Sequence, residues 1–318
     1  MSGYDAVEAA FRRGRAGHLA GRLAEAEAAY LECLALEPAN PAARYGLSIL
    51  LLAAGRYAEA WPLYESRRQV LPRAAIPPIS TPVEWSGDNP RGRRIAVVAE
   101  QGLGDQIMFA RYLPALVARG ANVVIALGMG NLKTLFEHQG FETTGIYRGG
   151  EIPGVDAWTY FGSLPFRLAM DAPPAPEFLE LPMAPGGGVG VIATGNPLHP
   201  NDANRSLPPP LADRLRSLGR DLSPSATGAA DFMDTARIVA GLDLVVGVDT
   251  SVVHLAGAMG KPCCVLLPRE GLDWRWNDGV RSDWYPKFKL LRQATAGDWN
   301  LPLRQVAEAV AERKGSPR

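Results

Sequence analysis

The 318-residue sequence predicts an α/β protein, two parallel-sheet halves placed behind an all-helical N-terminal repeat. Three observations carry this. Residues 20 to 38 recur 34 positions later; two separate stretches alternate short apolar runs with glycine turns and helical segments; and proline-rich segments divide the chain between these parts. At roughly 150 residues per domain the length allows about two domains. Lys plus Arg is 33 and Asp plus Glu is 33, with 8 of each within residues 1 to 72, so no basic half exists to hold a nucleic acid. The densest local excess is the short cluster Arg91, Arg93 and Arg94, and binding nucleic acid needs a broader basic face. The 34 glycines and 27 prolines, about a fifth of the chain, mark a turn-rich globular protein rather than a disordered one. Three cysteines, two of them adjacent at Cys263-Cys264, fit neither a disulfide framework nor a zinc site, which suits a reducing compartment. The N-terminus has no basic start leading into an apolar stretch, and the run Ile49 to Ala54 is too short to span a bilayer. A cytoplasmic protein is the expectation.

The repeat comes first in the chain. The offset of 34 pairs Ala20 with Ala54, Gly21 with Gly55, Arg22 with Arg56, Ala24 with Ala58, Glu25 with Glu59, Ala26 with Ala60, Tyr30 with Tyr64 and Pro38 with Pro72. Glycine at the inter-helix turn, alanine where helices approach and proline at the end resemble two tetratricopeptide repeats over residues 7 to 72. Helices are predicted near 7–20, 24–36, 41–54 and 58–70, the third opened by Asn40 as cap and Pro41 in its first turn. Pro62 falls early in the fourth, where a missing N–H is tolerated. Two repeats bury little apolar surface, so the unit is either a structural cap on the next domain or a short groove for a peptide or protein acceptor.

Residues 73 to 93 hold Pro77, Pro78, Pro82 and Pro90 without hydrophobic periodicity and are expected to be a linker. Arg94 to Ala99 then reads as a strand, Gly102-Leu103-Gly104 as a turn, Asp105 to Arg119 as helical and Ala121 to Leu127 as a second strand, which makes a βαβ unit with a parallel sheet. The same grammar restarts after Gly186-Gly187-Gly188. Val189 to Ala193, Asp243 to Val248 and Pro262 to Leu267 read as strands, with helices over Asp234 to Ala240 and Ser251 to Met259. The expected units are therefore 1–72, the linker 73–93, a first half 94–185 and a second half 186–318 ending in a helix near 301–313. Ligands of such sheets lie beyond the carboxyl ends of the strands, where Gly102, Gly104, Asp105 and Gln106 stand in the first half. A nicotinamide cofactor is disfavoured: Ile107 occupies the small position of GxGxxG, and Leu127-Gly128 stands where an acidic residue is needed. No GxxxxGK[ST] phosphate loop is present.

Three segments belong together. The first is Glu100 through Tyr112; the second holds Gly195-Asn196-Pro197, His199, Asn201-Asp202 and Arg205-Ser206; the third runs from Asp234 through Asp249-Thr250-Ser251 to His254 and Ala258. With Asp273-Trp274-Arg275-Trp276 and Trp284-Tyr285-Pro286 they resemble the bacterial tetratricopeptide-repeat glycosyltransferases, whose catalytic part is similar to the ADP-heptose:lipopolysaccharide heptosyltransferases of glycosyltransferase family 9. The resemblance covers most of residues 80 to 300. It implies a GT-B-like pair of Rossmann-like domains facing a cleft, the first half taking the acceptor and the second the nucleotide-sugar donor.

In that reading Asp105 is the general base that deprotonates the acceptor hydroxyl, with inversion at the anomeric carbon. Asp249, Thr250, Ser251, His254, Arg205, Gly195, Asn196 and His199 serve the donor. Thr250 and Ser251 open a helix whose positive N-terminus suits a diphosphate, and Arg205 neutralises the leaving group. Gly102, Gly104 and Gln106 face the acceptor. No metal or cofactor is called for, since no DxD motif or histidine cluster exists. The acceptor is a protein, flagellin or another surface protein by family-level analogy, or a glycan. The residues alone leave ordinary helix capping open for Asp105 and for Asp249-Thr250-Ser251. Two departures, Ala193 where tryptophan is usual and a short 219–230 segment, imply a trimmed donor side. A non-catalytic repeat module with a degenerate nucleotide-sugar domain is the alternative. Trp274, Trp276, Trp284 and Trp299 are expected to pack on the C-terminal helix, or else to wall the donor.

Overall fold

A computed structural model describes residues 3–72, 76–80, 82–147, 149–182, 186–276 and 279–315. The expected boundaries at 73 and 185, with residues 73–75, 81 and 183–185, lie outside the described residues. The N-terminal unit comprises α1 (Gly3–Leu19), α2 (Leu23–Leu36), α3 (Pro41–Ala53), α4 (Tyr57–Tyr64) and α5 (Arg67–Val70). Asn40 caps α3 as expected, its Oδ1 accepting from the Ala43 N–H at 3.0 Å. The expected fourth helix breaks in two after Tyr64; Pro62 within α4 offers no N–H to the preceding turn.

Tyr30 and Tyr64, at the same repeat position, have different neighbours. The Tyr30 ring fills the space that a Cβ at Gly14 or Gly46 would need, 2.6 Å from each, and so locks α1 to α3. Tyr64 has no third repeat to pack against, and its ring meets Phe109 and Trp274 of the α/β part instead. The α/β part thus takes the place of the missing repeat.

The first half carries β1 (Arg94–Val98), α6 (Leu103–Phe109), α7 (Leu113–Ala118), β2 (Asn122–Leu127), α8 (Lys133–His138), β3 (Glu142–Gly145), β4 (Ala157–Tyr160) and α9 (Leu164–Arg167). Its strands lie in the order β3-β2-β1-β4, all parallel. The second half carries β5 (Val189–Ile192), α10 (Asp202–Arg205), α11 (Pro209–Arg216), β6 (Arg220–Asp221), α12 (Pro224–Thr227), α13 (Phe232–Ala240), β7 (Leu244–Val248), α14 (Ser251–Ala258), β8 (Cys263–Leu267), β9 (Phe288–Arg292) and α15 (Asn300–Gly315). Here the order is β6-β5-β7-β8-β9, again all parallel. Central strands buried on both faces read as continuous apolar runs, which is why β1, β5, β7 and β8 were legible. The 219–230 segment yields only the two-residue β6 and the short α12.

The proline-rich stretch before β1 is a strap rather than a free linker. Trp85 N–H donates to the Trp158 carbonyl at 2.7 Å, Trp158 N–H donates to Val83 at 3.1 Å, and the Tyr160 hydroxyl donates to Pro77 at 2.5 Å. With Trp85 wholly buried, the strap covers the edge strand β4, and its prolines limit it to a single bridge at Glu84. The tryptophans also depart from expectation. Only Trp299 joins the apolar cluster of α15, with Leu303 and Val306. Trp274 and Trp284 pack edge-on against Trp61 of α4, and Trp276 stacks on His254 and Phe288. One apolar core runs from the repeat through both halves.

Trp61, 2% exposed, touches Tyr57, Tyr64, Phe109, Trp274 and Trp284. Trp61→Ala is expected to lower stability by about 3–5 kcal/mol in denaturant titrations while unfolding stays a single transition. A repeat that melts separately in the wild type would contradict a shared core.

Candidate functional site

The carboxyl ends of β1 and β7 face one another across the boundary between the halves. Beyond β1 the chain turns at Gly102, the cap of α6; beyond β7 it turns at Asp249 and Thr250, the cap of α14. The first turns of α6 and α14 touch directly. A Cβ at Gly104 would lie 2.7 Å from His254 Cδ2 and 3.4 Å from Ser251 Cα, so Gly104 admits the opposing helix rather than a ligand. Gln106, expected at the acceptor face, is instead buried at 6% exposure.

Asp105 sits in the first turn of α6. Its Oδ2 accepts from the Gly102 N–H at 2.9 Å, which is the capping role, and its Oδ1 is paired with Arg275 Nη2. Arg275 is nearly buried. Its Nη1 meets Asp273 Oδ2 at 2.7 Å, its Nε donates to Met108 Sδ at 2.8 Å, and its guanidinium lies 4.9 Å from the Trp274 ring centre. Burial opposes its charge, but Asp105 and Asp273 raise its pKa. Burial pushes the Asp273 carboxyl up despite Arg275, aided by the Asp249 and Asp105 carboxylates.

On the second half, His254 Nδ1 is 2.8 Å from the Tyr285 hydroxyl and its Nε2 is 3.6 Å from Asp249 Oδ1. Burial would raise the Asp249 pKa, but the neighbouring His254, with Arg275 adding its field, holds it at about 2. Thr250 caps α14 without a side-chain bond, and its Oγ1 is buried with no hydrogen-bond partner. Ser251 follows as the first helical residue. The leading N–H groups of a helix have no partners within it, so this end presents donors and a spare hydroxyl together.

Arg205, in α10, reaches the same turn. Its Nη1 donates to the Asp249 carbonyl at 2.8 Å and its Nε to Asp202 Oδ1 at 3.1 Å. The Gly195 N–H donates to Ser206 Oγ at 2.8 Å. Asn196 and His199 lie on an exposed loop and serve it: Asn196 Oδ1 accepts from Leu198 N–H at 3.0 Å, and His199 Nδ1 from Asn201 N–H at 3.2 Å. Desolvation and the Arg205 charge lower the His199 pKa. The structure thus gathers Asp105, Asp249, Thr250, Ser251, His254 and Arg205, while Asn196 and His199 rim the group. Arg275, Asp273 and Tyr285 were not singled out individually from sequence, although the Asp-Trp-Arg-Trp and Trp-Tyr-Pro motifs containing them were noticed. Among the described residues, no group of three or more His, Cys, Asp or Glu side chains is arranged to hold a metal ion, and no helix is long and apolar enough to cross a membrane.

Residues 18–66 match the tetratricopeptide repeat family. The chain is 27% identical over 360 aligned positions to Protein FlbA of Caulobacter vibrioides; the alignment takes in 91% of this chain, which spans 59% of that relative's length. Among solved structures, a glycosyl transferase family 9 protein of Veillonella parvula is 10% identical with a TM-score of 0.38, over 72% of this chain and 91% of that one. The E. coli heptosyltransferase WaaC with ADP is 13% identical with a TM-score of 0.40, over 69% and 99%. A mutant Thermobaculum terrenum O-GlcNAc transferase is 13% identical with a TM-score of 0.26, over 93% and 59%.

A carboxyl held near 2 in the fold and near its ordinary 3.8 when unfolded adds stability above that range and loses it as pH falls from about 4 towards 2. For Asp249 the amount is roughly 2 kcal/mol. Denaturant midpoints of wild type and Asp249→Asn should therefore converge as pH falls from about 4 towards 2, and a difference that stays constant across that range would count against a lowered Asp249.

Proposed function

We propose that this chain is an inverting glycosyltransferase that moves a sugar from a nucleotide-sugar donor to a hydroxyl of a protein or glycan acceptor. One observation carries the reading: the N-terminus of α14, with its buried, unpartnered Thr250 hydroxyl, faces Asp105 across the boundary of the two halves. A diphosphate bound there accepts from the leading amides of α14 and from Thr250 and Ser251. Asp249, kept ionised, accepts hydrogen bonds from sugar hydroxyls, and His254 holds it in place. The acceptor hydroxyl gives its proton to Asp105 Oδ1 as its oxygen bonds to the anomeric carbon, and the nucleoside diphosphate leaves from the opposite face.

Arg275 must release Asp105 for that step. A diphosphate offers two oxygens to a planar guanidinium, so Arg275 can exchange one carboxylate for the donor while Asp273 stays paired. Neutralisation of the leaving group then falls to Arg275 and the helix end. Arg205, whose Nε and Nη1 are committed to Asp202 and the Asp249 carbonyl, braces the turn. A second reading draws on the same ion pair: a carboxylate held permanently by Arg275 would leave a binding module without turnover.

Thermal shift and turnover assays with ADP-, UDP-, GDP- and CMP-linked sugars separate these readings. A donor at one hundred times its Kd should stabilise the chain by about 2.7 kcal/mol. Thr250→Ala should weaken binding about tenfold, the loss of one hydrogen bond to a charged group. Asp105→Asn should retain binding and lose turnover. Binding without turnover in the wild type would favour the module, and no binding of any donor would remove both readings.

A further inference from the structure

We infer that the end of the repeat unit is a positioning element of the candidate site, in which Tyr64 and Arg67 hold the turn that sets Asp105. The turn is Glu100-Gln101-Gly102, between β1 and α6. Gln101 adopts a left-handed backbone, with φ at 59°, which a residue bearing a Cβ adopts only when its surroundings impose it. Those surroundings come from the repeat. The Tyr64 hydroxyl lies 3.2 Å from the Gln101 side-chain amide nitrogen and 3.3 Å from its oxygen.

The preceding residue is gripped more firmly. Arg67, with no exposed surface, donates to Glu100 Oε1 at 2.7 Å and to Oε2 at 3.3 Å, and the Gly162 N–H donates to Oε1 at 2.9 Å. Glu65 and Ser163 accept from Arg67 at 2.8 Å each and the Tyr64 carbonyl at 3.3 Å. After the turn, Gly102 N–H donates directly to Asp105. Two residues from the repeat side thus fix the residues that begin this three-residue turn, and the candidate base is bonded to the residue that ends it.

The same helix also supports the other partner of Asp105. Trp61 and Tyr64 pack edge-on against Trp274, whose neighbour Arg275 pairs with Asp105. Helix packing alone does not require the Tyr64 hydroxyl. At the matching repeat position, the ring of Tyr30 locks α1 to α3. Loss of the Tyr64 hydroxyl should therefore act on the turn while leaving the ring in its apolar seat.

The catalytic consequence rests on the transferase reading, but the positioning itself is measurable without it. In the full chain, Tyr64→Phe is compared with Leu47→Val, an apolar truncation in α3 that serves as a stability control. Amide hydrogen exchange over residues 101–106 should quicken about tenfold in Tyr64→Phe, as expected for losing one hydrogen bond, and stay at the wild-type rate in Leu47→Val. With an active donor, kcat should fall about tenfold while donor KM stays within about twofold. Unchanged exchange over 101–106 in Tyr64→Phe, or an equal change in the control, would overturn the proposal. A wild type that turns over no nucleotide sugar would sink the transferase reading alone, since the exchange result still decides whether Tyr64 holds the turn.

Discussion

The aromatic seam around Trp61 is the contact on which the arrangement depends. Two helical repeats cannot bury their own apolar faces, and here the face left open after α4 is closed by Phe109 of the first half and by Trp274 and Trp284 of the second. Beside the seam lies the buried pair Arg67–Glu100, both side chains at 1% exposure or less. Such a pair gains little net stability against its own desolvation, whereas losing one partner strands a buried charge at about 3–5 kcal/mol. The apolar seam supplies the adhesion, and the ion pair fixes how the repeat is seated.

That seating is tied to the boundary between the halves. Arg111, at the end of the α6 region, donates to the Trp284 carbonyl at 2.9 Å and lies 4.8 Å from the ring centres of Trp284 and Tyr285. Tyr285 in turn bonds His254, and His254 abuts Gly104. Repeat, first half and second half are therefore joined through residues one or two contacts away from Asp105 and Asp249. A substitution in α4 and one in the 274–285 segment act on the same neighbourhood.

The parts legible in the sequence were those whose signal is local. The 34-residue offset, the apolar runs of β1, β5, β7 and β8, and the turns that open α6 and α14 each lie within a short window, and Asp105, Asp249, Thr250 and Ser251 are visible there because a helix cap follows a strand. What was missed depends on the tertiary arrangement. Polar alternation in β3 gives no buried-strand pattern, and the strap at 76–80 and 82–93 reads as a linker because its prolines hide a fully buried Trp85. Arg275 lies 170 positions from Asp105, so nothing local announces their pairing. Gly104 was expected to face the acceptor, and the space beside it belongs to His254, which no spacing within one helix could reveal.

A formal charge of zero acquires a physical sense at the site. Both arginines there already have a carboxylate: Arg275 has Asp105 and Asp273, and Arg205 has Asp202. A site of this kind cannot draw in a dianion by a long-range positive field. In the proposed reaction the donor must instead exchange partners with groups already bonded, and the exchange that matters is at Arg275, because its release is what frees Asp105. Selectivity then comes from geometry. Only an anion with two oxygens placed for the guanidinium, and close enough to the α14 amides to use the unpartnered Thr250 hydroxyl, recovers what breaking the Asp105–Arg275 pair costs. In the proposed reaction, donor binding and release of Asp105 become one event, so the proposed base is withheld until a substrate with that shape is in place.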